Sequence, residues 1–182
     1  MRLFIGIDLP KELKQALLNF QHELKALGFQ GAWKSPDNFH LTLEFLGELD
    51  SGNVTKLNET ITSVVNNYHP FALKLAGLGA FPSFKRPHTL WTSLQGSIGE
   101  LNRLRAELYD LLRKNGFILE ERPFKPHITL ASRPQLEDID LSAVQSRELG
   151  GFSVTEVILF ESKVIRGKRM YLDLSRTNLV NG

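Results

Sequence analysis

The apolar positions of this chain switch between two periods. RLFIGIDL (2–9) is a short apolar run ending at Pro10, a residue suited to the first turn of a helix, so it predicts a strand leading into a helix. Over 10–28, Leu13, Leu17, Phe20, Leu24 and Leu27 recur by fours and threes, which is one helical face, and Gly28 ends it. GAWKSPDN (31–38) reads as a loop, and NFHLTLEFLG (38–47) alternates as a strand. Val54, Leu57, Ile61 and Val64 predict a second helix at 51–67. FALKLAGLGAF (71–81) and HTLWTSL (88–94) read as strands joined by the turn-rich PSFKRP. Ile98, Leu101, Leu104, Leu108 and Leu111 place a third helix at 97–115, capped by Gly116. The strand KPHITLAS (125–132), a mixed segment at 135–149, and the strands FSVTEVILFES (152–162) and MYLDLSR (170–176) complete the chain.

Nothing in this order resembles a linker, so the pattern predicts one α+β unit over residues 1–182. Two of its strands, each after a predicted helix, carry the tetrapeptides HLTL and HITL. That recurrence suggests two related lobes, although the halves share little other sequence.

Composition narrows the class. A chain of 182 residues, 42% hydrophobic and 23% charged, is expected to be globular. It has no apolar run of about 18 residues to span a bilayer. Its opening MRLFIGIDLPKEL turns charged too early for a secretory signal. The absence of cysteine excludes disulfides, a thiolate nucleophile and a thiolate metal site. A cytoplasmic, non-membrane protein is the expectation. The net charge of +2 permits an anion in a local basic cleft without requiring one.

The chemistry resides in the two tetrapeptides. Strand residues i and i+2 share a face, so His40 and Thr42 point one way while Leu41, Leu43 and Phe45 point into a core. His127 and Thr129 pair likewise above Ile128 and Leu130. Two lobes facing each other would bring two imidazoles and two hydroxyls into one cleft. A neutral imidazole can take a proton from an attacking oxygen while an imidazolium donates one to a leaving oxygen. The hydroxyls can hydrogen-bond non-bridging phosphate oxygens. One such histidine alone is usually structural; a matched pair in strands is a candidate site. Zinc is the competing reading, but each strand offers a single imidazole with only Glu44 nearby, so no metal site is expected.

The sequence resembles the two-histidine (2H) phosphoesterases, specifically the RNA 2′,3′-cyclic phosphodiesterases, also called 2′-5′ RNA ligases. RLFIGIDLP, WKSPDNFHLTLEFLGE, FPSFKRPHTLW, FKPHITLA and LFESKVIRGKRMYLDL carry the resemblance over nearly the whole chain. It implies a bilobal α+β fold of two pseudo-symmetric lobes, with antiparallel sheets lining a central cleft and helices outside. It also implies hydrolysis of terminal 2′,3′-cyclic phosphates to 2′-phosphates without metal or cofactor, with ATP-independent 2′-5′ ligation as a further activity. RNA ends, tRNA fragments included, would be the partners, and the protein a monomer. By the same resemblance His40 would be the proton donor, His127 the proton acceptor, and Thr42 and Thr129 the phosphate ligands. The sequence itself leaves the two histidines' roles open.

One departure concerns arginine. Relatives often carry Arg directly after the residue following HxTx, whereas here Ser132 intervenes before Arg133. Alternation would still put Arg133 on the face of His127, within reach of the phosphate. His88 also stands where an arginine would be expected. Phe84, with Trp33 and Phe81 as weaker candidates, is expected to stack on a terminal base. Lys34, Lys85, Arg86 and Lys125 are expected to form a basic rim, Glu44 to lie at the cleft edge, and His22 and His69 to be structural or exposed. The rivals are a non-catalytic RNA- or nucleotide-binding module and a 2H phosphoesterase acting on a small cyclic phosphate. Intact motifs argue against the first. A basic surface outside the cleft would favour RNA over the small substrate.

Overall fold

The computed structural model describes residues 1–136 and 138–181. Strands β1 (Arg2–Asp8), β3 (His40–Glu48), β8 (Glu156–Ile165) and β9 (Lys168–Asn178) form a sheet in the order β3-β1-β8-β9. Strands β2 (Gln30–Trp33), β4 (Phe71–Phe81), β5 (Thr89–Gly96), β6 (His127–Gln135) and β7 (Glu148–Val154) form a second, ordered β2-β6-β5-β4-β7. All the pairings are antiparallel. This is a two-lobed α+β fold, as the pattern predicts, and each sheet holds one HxTx strand.

The helices are α1 (Lys11–Ala26), α2 (Val54–Val65) and α3 (Ile98–Lys114), and each buries one stripe. Leu13, Leu17, Phe20 and Leu24 of α1 are buried, and α1 packs against β7 of the second sheet. Leu57, Ile61, Val64 and Val65 of α2 and Leu101, Leu104, Leu108 and Leu112 of α3 are buried where these helices meet each other. Helix α2 also packs on β8 and β9, and α3 on β3. The first sheet joins the chain's beginning to its end, so the lobes are interwoven in sequence. None of the described helices is long and apolar enough to cross a membrane.

Two expectations fail for physical reasons. FSVTEVILFES is not one strand: the chain leaves the second sheet after Val154 and enters the first at Glu156, and both flanks are apolar. The single polar pair Thr155–Glu156 between them is the only mark of the change of sheet, and it also fits the alternation of one continuous strand. The expected loop 31–38 holds a short edge strand, Gln30–Trp33, too short to display alternation.

Both HxTx strands contain a bulge at the same place. In β3, Thr42 pairs with Gly6 and Glu44 with Ile5, so Leu43 has no partner. In β6, Thr129 pairs with Trp91 and Ala131 with Leu90, so Leu130 has none. An extra residue reverses the facing of everything after it. Leu43 and Glu44 are both buried in succession, as are Leu130 and Ala131.

The Leu130 carbonyl at this bulge faces β2 and has two donors. It accepts the Lys34 amide at 2.9 Å and Gln21 Nε2 at 3.0 Å. Gln21 is a fully buried polar residue of α1 and also donates to the Lys34 carbonyl at 2.9 Å. One side chain thereby ties α1, the end of β2 and the β6 bulge together. Gln21→Leu keeps the volume but removes both bonds, leaving the Lys34 carbonyl short of a donor. It should lower unfolding free energy by about 1–3 kcal/mol, whereas the exposed Gln15→Leu should change it by under about 0.5 kcal/mol, both read by chemical denaturation. Equal stability of the two variants would refute the role of Gln21.

Candidate active site

The two sheets meet around a cleft of about 450 Å³ that contains His40, Thr42, His127 and Thr129 in its lining. Each imidazole is held by a backbone carbonyl two residues earlier. His40 Nδ1 lies 2.8 Å from the Asn38 carbonyl, and His127 Nδ1 lies 2.6 Å from that of Lys125. A carbonyl only accepts, so each Nδ1 carries the proton and each Nε2 of a neutral ring presents a lone pair. His40 Nε2 accepts from the Thr42 hydroxyl at 2.9 Å.

Aromatic rings fix both imidazoles in place. His40 lies 4.8 Å from Phe4 and 4.8 Å edge-on from Tyr171. His127 lies 4.8 Å edge-on from Phe81, with Trp91 behind it at 6.0 Å. Trp91 covers Gly79 so closely that a Cβ there would sit 2.2 Å from its ring, which explains the glycine.

This apolar setting decides protonation. Burial, opposed by the Asn38 carbonyl and Asp8, lowers the pKa of His40 to about 4. Burial also lowers that of His127, against the Lys125 carbonyl. In the empty cleft at neutral pH both rings are therefore neutral.

The bulges determine which neighbours join the histidines. Phe45, expected in the core, is 40% exposed and lines the cleft. Glu44 lines the cleft, as expected, but is buried, and its carboxylate receives Arg105 Nη2 of α3 at 2.7 Å. Burial raises the pKa of Glu44, which Arg105 opposes. The Arg105 guanidinium lies 4.5 Å from the Tyr109 ring and 5.4 Å from Phe124, a stacked cation in the cleft wall. In β6 the same reversal gives the cleft position to Ser132, while Arg133 is exposed, adopts φ +50° and lies outside the lining. The alternation that placed Arg133 beside the phosphate is thus corrected.

Of the other expected residues, Phe81, Lys34 and Lys125 line the cleft. Phe84 and Trp33 instead pack, partly buried, against the core, and Lys85, Arg86 and His88 lie outside the lining. His22 is exposed on α1, and His69 Nδ1 donates to the Val180 carbonyl at 2.8 Å. Asn38, Thr89, Arg105, Arg122, Phe124 and Tyr171 also line the cleft without having been foreseen. They come from five separate segments and share no motif. No three His, Asp or Glu side chains cluster as a metal site among the described residues.

Residues 7–91 and 94–171 match the model of the LigT like Phosphoesterase family. The chain belongs to this family. LigT-like relatives include an Archaeoglobus fulgidus RNA 2′,3′-cyclic phosphodiesterase, 30% identical over 96% of this chain and 98% of its own. A Geobacillus stearothermophilus protein of the same name is 34% identical over 88% of this chain, which spans about half (52%) of that longer relative. Among solved structures, a Thermus thermophilus protein superposes with TM-score 0.82 at 26% identity, covering 98% of each chain. E. coli LigT complexed with 3′-AMP gives TM-score 0.79 at 28% identity, covering 99% of this chain and 98% of its own.

The depressed pKa of His40 links stability to pH. Its folded value of about 4 lies below the unfolded value of about 6.5, so acid favours the unfolded chain. The contribution is complete above pH about 6.5 and is lost as pH falls towards about 4. Unfolding free energy should fall over that window with a slope approaching about 1.4 kcal/mol per pH unit from this group. His40→Gln should remove that component, and an unchanged slope in the variant would show that His40 is not the group responsible.

Proposed function

We propose that this chain is an RNA 2′,3′-cyclic phosphodiesterase acting through two histidines. The observation that carries this reading is the matched pair of imidazoles in one cleft, each with its Nδ1 occupied by the carbonyl two residues before it. Family membership and the names of the relatives support the substrate class.

In this mechanism the cyclic phosphate lies between the HxT motifs, with Thr42 and Thr129 hydrogen-bonding its non-bridging oxygens. His127 Nε2 takes a proton from water as the water oxygen attacks phosphorus. His40, as imidazolium, gives its Nε2 proton to the 3′ oxygen as the P–O3′ bond breaks. The products are a 2′-phosphate and a 3′-hydroxyl, and proton transfer to solvent resets both rings. Lys34, Lys125 and the stacked Arg105 bring positive charge to the wall around this anion. No step requires a metal ion.

Both rings are neutral in the empty cleft, yet the mechanism needs one imidazolium. The phosphate itself provides the remedy: a nearby anion favours the charged ring, so substrate binding takes up a proton. Sulfate, which does not titrate in this range, should bind with uptake of about one proton near neutral pH, measured by calorimetry in buffers of different ionisation enthalpy. Binding without proton uptake would mean that the empty cleft already holds its imidazolium.

His40→Ala and His127→Ala should each lower turnover of an RNA ending in a 2′,3′-cyclic phosphate by ~10²–10⁴, with circular dichroism unchanged. Wild-type turnover should survive EDTA, and its product should resist a 3′-specific phosphatase. Release of a 3′-phosphate, or near-normal activity in either folded variant, would overturn the assignment.

A further inference from the structure

A second cavity of about 560 Å³ opens beside the first and shares Lys34, His40, Phe45, Arg122 and Tyr171 with it. It lies on the face of the first sheet that carries His40. On that face Phe4 pairs with Phe160 and Ser162 with Tyr171, and the three aromatic rings pack as a small separate cluster. Arg2 and Arg169 line this cavity and not the catalytic one.

The charges in this groove are unevenly matched. Its two carboxylates are already engaged: Glu48 with the N-terminal ammonium at 3.6 Å and Glu120 with Arg122 at 3.3 Å. Arg2, Lys34 and Arg169 form no ion pair among the described residues. Arg169 Nη1 donates to the Ser162 hydroxyl at 2.7 Å. Burial lowers the pKa of Lys34, and the positive charge of Arg169 lowers it further. Both Arg169 and Arg2 act on Tyr171, opposing the rise that burial imposes on its phenol. Arg2 and Arg169 thus both act on the ring beside His40, and Arg169 also repels Lys34 in the same lining, with no ion-pair partner for any of the three among the described residues.

Such an arrangement is stabilised by a polyanion. One phosphate between the histidines occupies the first cavity and leaves Arg2 and Arg169 unused. The β8–β9 hairpin adds Arg166 and Lys168, together with Lys163 paired to Glu161 at 3.1 Å, interspersed with the exposed Val164, Ile165 and Met170. Cations mixed with apolar surface suit a single strand, whose backbone is charged and whose bases are flat and apolar.

We propose that this groove is the path of the RNA chain 5′ to its cyclic-phosphate end, with Arg2 and Arg169 holding the phosphates of upstream nucleotides and Tyr171 and Phe45 facing the bases. The assignment rests on the reading of the first cavity as an RNA-end phosphodiesterase site. It makes the enzyme one for oligonucleotides, because a mononucleotide has no phosphate to place on Arg2 or Arg169.

The test compares two substrates in the double variant Arg2→Gln, Arg169→Gln. Both side chains are on the surface, so the fold should persist. With a short RNA ending in a 2′,3′-cyclic phosphate, kcat/KM should fall at least about 10-fold, and the slope of log kcat/KM against log salt should decrease by about 1.4, which is about 0.7 per lost phosphate contact. With the mononucleotide 2′,3′-cyclic phosphate, kcat/KM should stay within about twofold. An equal loss on both substrates, or no loss on the RNA, would overturn the groove. If the wild type turns over neither substrate, the phosphodiesterase reading fails. The groove is then judged by fluorescence anisotropy with the same RNA: weaker binding by the double variant supports it, and equal binding overturns it.

Discussion

One extra residue directly after the His-x-Thr of each strand sets the composition of the cleft. A strand that kept strict alternation after Thr42 and Thr129 would send Phe45 into the core and Arg133 into the cleft. The bulges at Leu43 and Leu130 reverse that order, burying two residues in succession and handing the next cleft position to Phe45 and Ser132. The offset from the histidine is the same in both strands. The Leu130 carbonyl at the bulge accepts from Gln21 of α1 as well as from Lys34, so the helix α1 and the shape of the cleft depend on one another.

Upon this frame the cleft combines apolar support with positive walls. Phe4, Tyr171, Phe81 and Trp91 surround the imidazoles and keep water from stabilising their charged forms, so both rest neutral. Lys34 and Lys125 supply attraction for an anion, while Arg105 and Arg122 are each offset by a carboxylate partner. In the proposed mechanism, charge in the imidazoles arrives together with the phosphate that needs it. The Glu44–Arg105 pair keeps one of these cations rigid, since a buried carboxylate and two aromatic rings leave it little freedom.

Much of this was legible in the sequence. The apolar stripes of three helices, the strands and the paired His-x-Thr spacing follow from periodicity alone, because burial enforces periods of 3.6 and 2. The bulges were not legible, since LTLEF and ITLAS alternate on paper, and that is why Phe45 and Arg133 were misplaced. Phe84 and Trp33 look like free loop aromatics but find room against the core. Arg105 lies in the middle of an ordinary amphipathic helix, and Tyr171 near the end of the chain. Only the assembled sheets bring them to His40 and His127.

The orientation of the two imidazoles is the claim on which the rest depends, and long-range ¹H–¹⁵N correlation spectra of the ring nitrogens report it directly. At neutral pH and without ligand, His40 and His127 should both show Nδ1 protonated and Nε2 with the shift of an unprotonated nitrogen. That is the minority form in solution, so its appearance twice would be informative. An Nε2–H tautomer in either ring would contradict the account, because that nitrogen could then neither take a proton from water nor receive the one taken up from solution when a phosphate binds.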